Sequence, residues 1–290
     1  MYLSRLLAAA MLCGCVQAFA APAAIVEGLQ MPAWVERAGR RQPLQIGATL
    51  TSGDRILTGA DARVLLRLEE GSHVKLGADA QLDLPVLSPP AEPTGVFRGV
   101  LSVVKGAFRF TTAALGRART RDIEAHVSTI TIGIRGTDVW GKAEPSRDFV
   151  VLLEGKIDIR REGEAAQRME TPLSLFMAPK GAATQPVRPV NPDDLRRWAQ
   201  ETELQDGAGV VTGEGQWALH LASFRQPAAA RRLQQSLRES GYAAQTESVR
   251  VGDRVWTRVS LQGFASRVDA GAVRARLHSV TPSAWIEEKR

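Results

Sequence analysis

One short pattern occurs twice in the last quarter of the chain, and it confines that segment to few folds. Leu219-His220-Leu221-Ala222-Ser223-Phe224 returns forty positions later as Val259-Ser260-Leu261-Gln262-Gly263-Phe264. Each copy alternates apolar and polar residues like a strand, ends in a small residue and Phe, and leads into a helical segment. After the first copy, Gln226-Pro227 opens a helix whose apolar stripe is Ala230, Leu233 and Leu237, and Gly241 closes it. After the second, Ser266 caps a helix with Ala270, Val273 and Leu277 on its inner face. Two such units predict a small α+β, split-βαβ sheet with both helices on one face, leaving the other face open to a ligand.

Residues 214–290 resemble a SPOR domain, the bacterial module that binds septal peptidoglycan. Trp217, the strand over 219–224, the Ala-rich first helix and the strand Trp256-Thr257-Arg258-Val259 running into Gly263-Phe264 carry the resemblance. It implies a four-stranded, ferredoxin-like sheet whose open face recognises glycan strands stripped of their stem peptides. Two positions depart from the family: His220 stands where Gln is usual, and Ala222 where Gly is usual. Restoring Gln at 220 is expected to leave binding equal or better.

Strand alternation sets Arg258, Ser260 and Gln262 on the polar face, opposite Val259 and Leu261. Trp256 shares that face, where it can stack on a sugar ring, and His220 and Ser223 lie near it on the first strand. These six are the candidate glycan-binding residues. From Glu214 onward there are 12 Lys or Arg against 7 Asp or Glu, so nearly all of the chain's net charge of +6 sits here. An exported protein rarely meets nucleic acid, so an anionic envelope partner is the expected one. Removing a stem peptide leaves a free lactyl carboxylate on each muramic acid, which Arg can pair with. Arg231, Arg232, Arg274 and Arg276 read instead as solvated helix faces.

The first 20 residues read as a signal peptide. Arg5 precedes an apolar run over 6–16 that is too short to span a bilayer, and Ala18-Phe19-Ala20 has the A-x-A form of a cleavage site. The expected location is the periplasm of a Gram-negative cell, with enrichment at the septum. Both cysteines, Cys13 and Cys15, lie inside this segment. In the alternative reading Cys15 carries a lipid anchor, which tethers the chain without a transmembrane span.

Residues 21–180 read as nearly all strand. Val64, Leu66 and Leu68 alternate with outward residues, as do Ile130, Ile132 and Ile134. A strand, a charged residue plus Gly, and another strand recur at Glu70-Gly71, Lys105-Gly106 and Glu154-Gly155, where Gly supplies the positive φ of a hairpin or corner. A sandwich, roll or solenoid-like all-β fold is expected, with helix signals absent apart from a turn near Ala113-Ala114. The segment resembles the periplasmic FecR domain, through Gly53-Asp54-Arg55-Ile56, Thr58-Gly59, Gly71-Ser72, Leu76-Gly77, Ile132-Gly133-Ile134-Arg135-Gly136-Thr137-Asp138 and Glu154-Gly155-Lys156-Ile157. Signalling members carry a cytoplasmic segment and a membrane span ahead of this domain, a place taken here by the signal peptide. Arg135-Gly136-Thr137-Asp138 reads as a structural corner in which Arg135 and Asp138 pair across the bend.

Residues 181–213 read as a linker. Pro186, Pro189 and Pro192 are expected to keep the chain extended and out of sheets. Asn191-Pro192-Asp193-Asp194 then starts a helix with Leu195, Trp198 and Leu204 as its apolar contacts, packed on the first domain. Glycines after Asp206 predict a flexible hinge near 210–215, two separate cores and first proteolytic nicking between about 206 and 215.

Catalytic signals are weak. Cleavage after Ala20 leaves no cysteine; His73, His126, His220 and His278 are scattered, and no H-E-x-x-H or G-x-S-x-G occurs. Ser102-Val103-Val104-Lys105 fits S-x-x-K, but on a strand ending at Lys105-Gly106 rather than on a helix that would bring the two side chains together. No cofactor or metal is expected. The reading is a non-enzymatic peptidoglycan-binding envelope protein active at cell division, whose β domain engages a second partner. Two alternatives stay open: a periplasmic sensor or regulator whose β domain binds a signalling partner, and a cofactor of a cell-wall hydrolase.

Overall fold

The structure, a computed structural model, describes residues 23–88, 95–113 and 121–289. The signal-peptide segment, Cys13, Cys15 and Ala114 lie outside them. Nine strands open the chain: β1 (Ala24–Gln30), β2 (Ala33–Arg37), β3 (Arg40–Pro43), β4 (Thr49–Leu50), β5 (Asp54–Thr58), β6 (Arg63–Leu68), β7 (His73–Leu76), β8 (Gln81–Ser88) and β9 (Phe97–Thr111). There follow β10 (Arg121–Val127), β11 (Ile130–Ile134), β12 (Asp138–Ala143), β13 (Arg147–Glu154), β14 (Ile157–Arg161), β15 (Gln167–Met169), β16 (Ser174–Pro179) and β17 (Gln185–Pro189). After helix α1 (Pro192–Thr202) come β18 (Val210–Thr212), β19 (Trp217–Phe224), α2 (Pro227–Glu239), β20 (Gln245–Val251), β21 (Arg254–Phe264), α3 (Arg267–Arg276) and β22 (Trp285–Glu288).

The all-β part has two sheets over one core. One runs β17-β16-β13-β12-β9-β7-β6-β1, and the other β15-β14-β11-β10-β9-β8-β5-β2-β3. Strand β9 belongs to both. Its first half pairs with β8 and β10, and from Gly106 onward it pairs with β12 and β7. Lys105-Gly106 is therefore not where the strand ends, as S-x-x-K placement suggested, but where it bends from one sheet into the other. Gly106 has φ 86°, and a Cβ there would lie 2.6 Å from the Ala80 backbone, so no other residue fits. The three charged-plus-Gly turns thus do different work: Gly71 closes the β6–β7 hairpin, while Gly106 and Gly155 turn the chain between sheets.

Near Arg135-Gly136-Thr137-Asp138 the corner is present, with Gly136 at φ 78°, but its predicted ion pair is not. Asp138 pairs with Arg109 at 2.7 Å, because β12 lies beside β9 with Asp138 opposite Thr111, which makes Arg109, two residues along, its diagonal neighbour on the same face.

Helix α1 forms as its cap predicts: the Asn191 side chain accepts from the Asp193 amide, and Pro192 occupies the first turn. Trp198 stacks on Trp140 (centroids 5.6 Å apart, planes at 9°) and meets Phe149 at 4.8 Å. The first sheet is thereby covered on both faces, which is why β13 is buried at five consecutive positions instead of alternating. Lys75 and Arg109 then hold Glu203, and Lys142 holds Glu201 at 2.9 Å.

Two features of the linker differ from expectation. Residues 185–189 do join a sheet, as β17 against β16; among the described residues β17 has one neighbour, so its prolines need no second hydrogen-bond partner. Residues 210–212 are a strand, not a hinge. Gly207 (φ 79°) and Gly209 (φ 102°) turn the chain into β18, which pairs with Gly28–Gln30 on one side and with Phe264 on the other. Val210 and Val211 are buried, and one apolar core runs from the β sheets into the C-terminal unit.

Candidate glycan-binding face

In the C-terminal unit the strands are ordered β22-β19-β21-β20, all antiparallel. Ala230, Leu237, Ala270 and Val273 of the two helices bury against Leu219, Leu221, Val259 and Leu261, as the apolar stripes predict. Ser266 caps α3 by accepting from the Asp269 amide at 3.1 Å, and Gly241 follows α2 with φ 83°. The helices face the β domain: the Trp34 indole donates to the Glu239 carbonyl at 3.1 Å, and Arg276 donates to the Met31 and Ala208 carbonyls at 2.9 Å each. Arg276, read as a solvated helix arginine, is thus a docking contact, because α3 points its C-terminal end at the β1–β2 turn.

The opposite face carries the six candidates, and register explains their grouping. His220 lies opposite Ser260, Ser223 opposite Arg258, and a bulge between His220 and Ala222 keeps both pairs on one side. Gln262 bonds Ser260 at 3.4 Å and accepts from Lys289. Depth separates the candidates. Ser223, Trp256, Arg258 and Gln262 are partly open, whereas Ser260 (1 % exposed) and His220 (6 %) are buried under their neighbours.

What covers His220 is Trp285, which was missing from the candidate set. The rings stack at 4.9 Å, and the Arg258 guanidinium sits over the same indole at 5.2 Å from its centroid. Trp285 itself is 38 % exposed. Its signal lay in the alternation Trp285-Ile286-Glu287, which puts the indole and Glu287 on the open face of a strand whose Ile286 packs on the core. Trp256 has a matching arrangement, with Arg225 at 5.2 Å.

Charge on the face is mixed. His220 Nε2 meets Glu287 at 2.9 Å, and Arg258 meets Glu247 at 3.6 Å. Burial, reinforced by the nearby Arg258 charge, holds the His220 pKa below its ordinary value although Glu287 pulls the other way. His220 is therefore neutral at neutral pH, donating from Nε2, while its buried Nδ1 has no partner among the described residues. Arg258 Nε is likewise buried without a partner among the described residues, while the side chain as a whole stays partly open. Two indole platforms, each with a guanidinium beside it, suit sugar rings that bear carboxylates. Trp256 is four residues along β21 from the row of Trp285, so about 14 Å separates the platforms along the strand direction. A ligand touching both spans more than one sugar. Among the described residues, no group of three or more His, Cys, Asp or Glu is placed to hold a metal ion.

An all-β domain followed by a split-βαβ sheet with one open face defines the class, and the comparisons agree with it. A family model of the FecR protein matches residues 54–158, and that of the SPOR domain matches residues 213–286. The chain carries a FecR domain and a C-terminal SPOR domain. A SPOR domain implies peptidoglycan binding, and a FecR-like domain suggests a protein partner. Two crystal structures of a "putative anti-sigma factor" from Parabacteroides distasonis are similar over most of their length. One is 14 % identical, with TM-score 0.40, covering 79 % of this chain and 91 % of that one. The other is 13 % identical, with TM-score 0.38, covering 69 % and 96 %. No curated protein matches.

Proposed function

We propose that this is an exported, non-enzymatic envelope protein that binds denuded septal glycan through the open face of its SPOR sheet. The reading rests on one observation above all: Trp285, partly open, lies over His220 with the Arg258 guanidinium against the same ring on that face. The indole offers a sugar its flat surface, and Arg258 stands within reach of a lactyl carboxylate on the same sugar. The FecR domain serves as a second interaction module. Because both helices dock on it, the glycan-binding face is turned away from it and both surfaces can be engaged together. In this reading the periplasm is the location, and no helix among the described residues is long and apolar enough to cross a membrane.

Sedimentation with sacculi, before and after amidase treatment, tests the proposal. The chain should pellet with treated sacculi and much less with untreated ones, and a full-length fluorescent fusion should gather at midcell. Equal pelleting with both would mean that the stem peptides are irrelevant, and the denuded-glycan reading fails.

A further inference from the structure

Arg63, the first residue of β6, is only 9 % exposed, yet most of its donors are unused. Among the described residues its guanidinium makes one hydrogen bond, from Nη1 to the Ala62 carbonyl at 2.8 Å, and its Nε is buried without a partner. Asp61 and Glu201 favour its charge from a distance, but neither forms an ion pair with it. A buried cation left so poorly paired is costly to the fold, and such a cost commonly marks a site where something else completes the pairing.

Arg63 lines a cleft of about 430 Å³ bounded by the loop after β7, the β9 corner, the β12–β13 turn and the end of α1. That volume lies at the lower end of small-molecule sites. One wall is already paired internally, since Lys142 bridges Glu144 at 3.3 Å and Glu201 at 2.9 Å, and Arg147 meets Glu144 at 3.0 Å. Three charged groups on the cleft lack ion-pair partners among the described residues: Arg63, Lys105 and the carboxylate of Asp79. Two cations and one anion, all unpaired and all on one small cleft, match a ligand carrying both charges. A bare phosphate would meet three carboxylates on the walls.

We propose that this cleft binds a short zwitterionic peptide, its terminal carboxylate on Arg63 and Lys105 and its ammonium on Asp79. It is the FecR domain's own ligand site, separate from the glycan face.

Calorimetric titration of the full chain with dialanine, alanyl-glutamate and alanyl-lysine tests this. At least one should bind saturably with a stoichiometry of one. Acetylating its amine or amidating its carboxylate should each weaken binding about tenfold. Lys105→Ala and Asp79→Asn, both at exposed positions, should do the same with an unchanged melting temperature. Arg63→Gln should abolish binding, with circular dichroism to check folding, and none of the three should alter pelleting with sacculi. Absence of saturable binding by all three peptides at millimolar concentration would overturn the proposal. So would equal binding of the blocked peptides or of inorganic phosphate, or parental affinity in both surface variants.

Discussion

Arg258 and Trp285 make opposite kinds of contribution to one surface, and single substitutions separate them. Arg258→Ala removes a cation whose one ion-pair partner among the described residues, Glu247, is well exposed and tolerates its loss. The fold should survive, and binding to amidase-treated sacculi should weaken by about 1.5–3 kcal/mol if a charged hydrogen bond to the glycan is lost. Trp285→Ala removes the platform itself and should weaken binding without reducing its salt dependence, whereas Arg258→Ala should reduce both. Pelleting at several salt concentrations distinguishes them. His220 acts from below. Its stacking supports Trp285, so His220→Gln should weaken binding a few-fold rather than restore it, contrary to what the family's usual Gln suggests. Its protonation also couples to folding. The folded-state pKa is depressed, so its neutral form contributes stability above the unfolded value of about 6.5, and that contribution is lost as pH falls towards the folded value. Denaturant melts at pH 7 and pH 5 should show the parent losing more stability than His220→Gln.

Among elements, three-residue β18 has the most consequence for its size. Asp269, 2 % exposed on α3, accepts from the Gly209 and Val210 amides at 3.0 and 2.9 Å and fixes the entry to that strand. Asp269→Ala leaves those donors buried and unpaired, at a cost of about 2–4 kcal/mol. Thermal and denaturant unfolding would register this, together with faster cleavage at 206–215. Helix α1 and the two SPOR helices were legible from caps and stripes alone, because those signals act within one or two turns. The pairing of β18 was not, since Val210-Val211-Thr212 has no signal beyond two apolar residues and its partners are distant in sequence.

For the whole molecule, a shared core and a strand paired across the junction replace the two independent bodies that the glycines suggested. Gly241 shows how close the approach is: a Cβ there would lie 2.7 Å from the Trp34 ring. The FecR and SPOR parts should therefore unfold together in calorimetry, in one transition, and limited proteolysis should spare 206–215 in the native state. Two resolved transitions with early cleavage there would show that the docked arrangement does not persist in solution.

The sequence by itself determined what is set by nearest neighbours along the chain: the alternation that makes the strands, the caps and stripes that make the helices, the glycines that must take positive φ, and the polar set on β21. Tertiary structure alone decided what those elements meet. Lys105-Gly106 became a bend between sheets because Ala80 packs against it, and Asp138 found Arg109 because β9 and β12 are adjacent. Likewise His220 went from surface candidate to buried support because the fourth strand returns beside the first and lays Trp285 over it. Local signals carry the torsional preferences of a few residues, whereas burial and pairing depend on groups brought together from far along the chain.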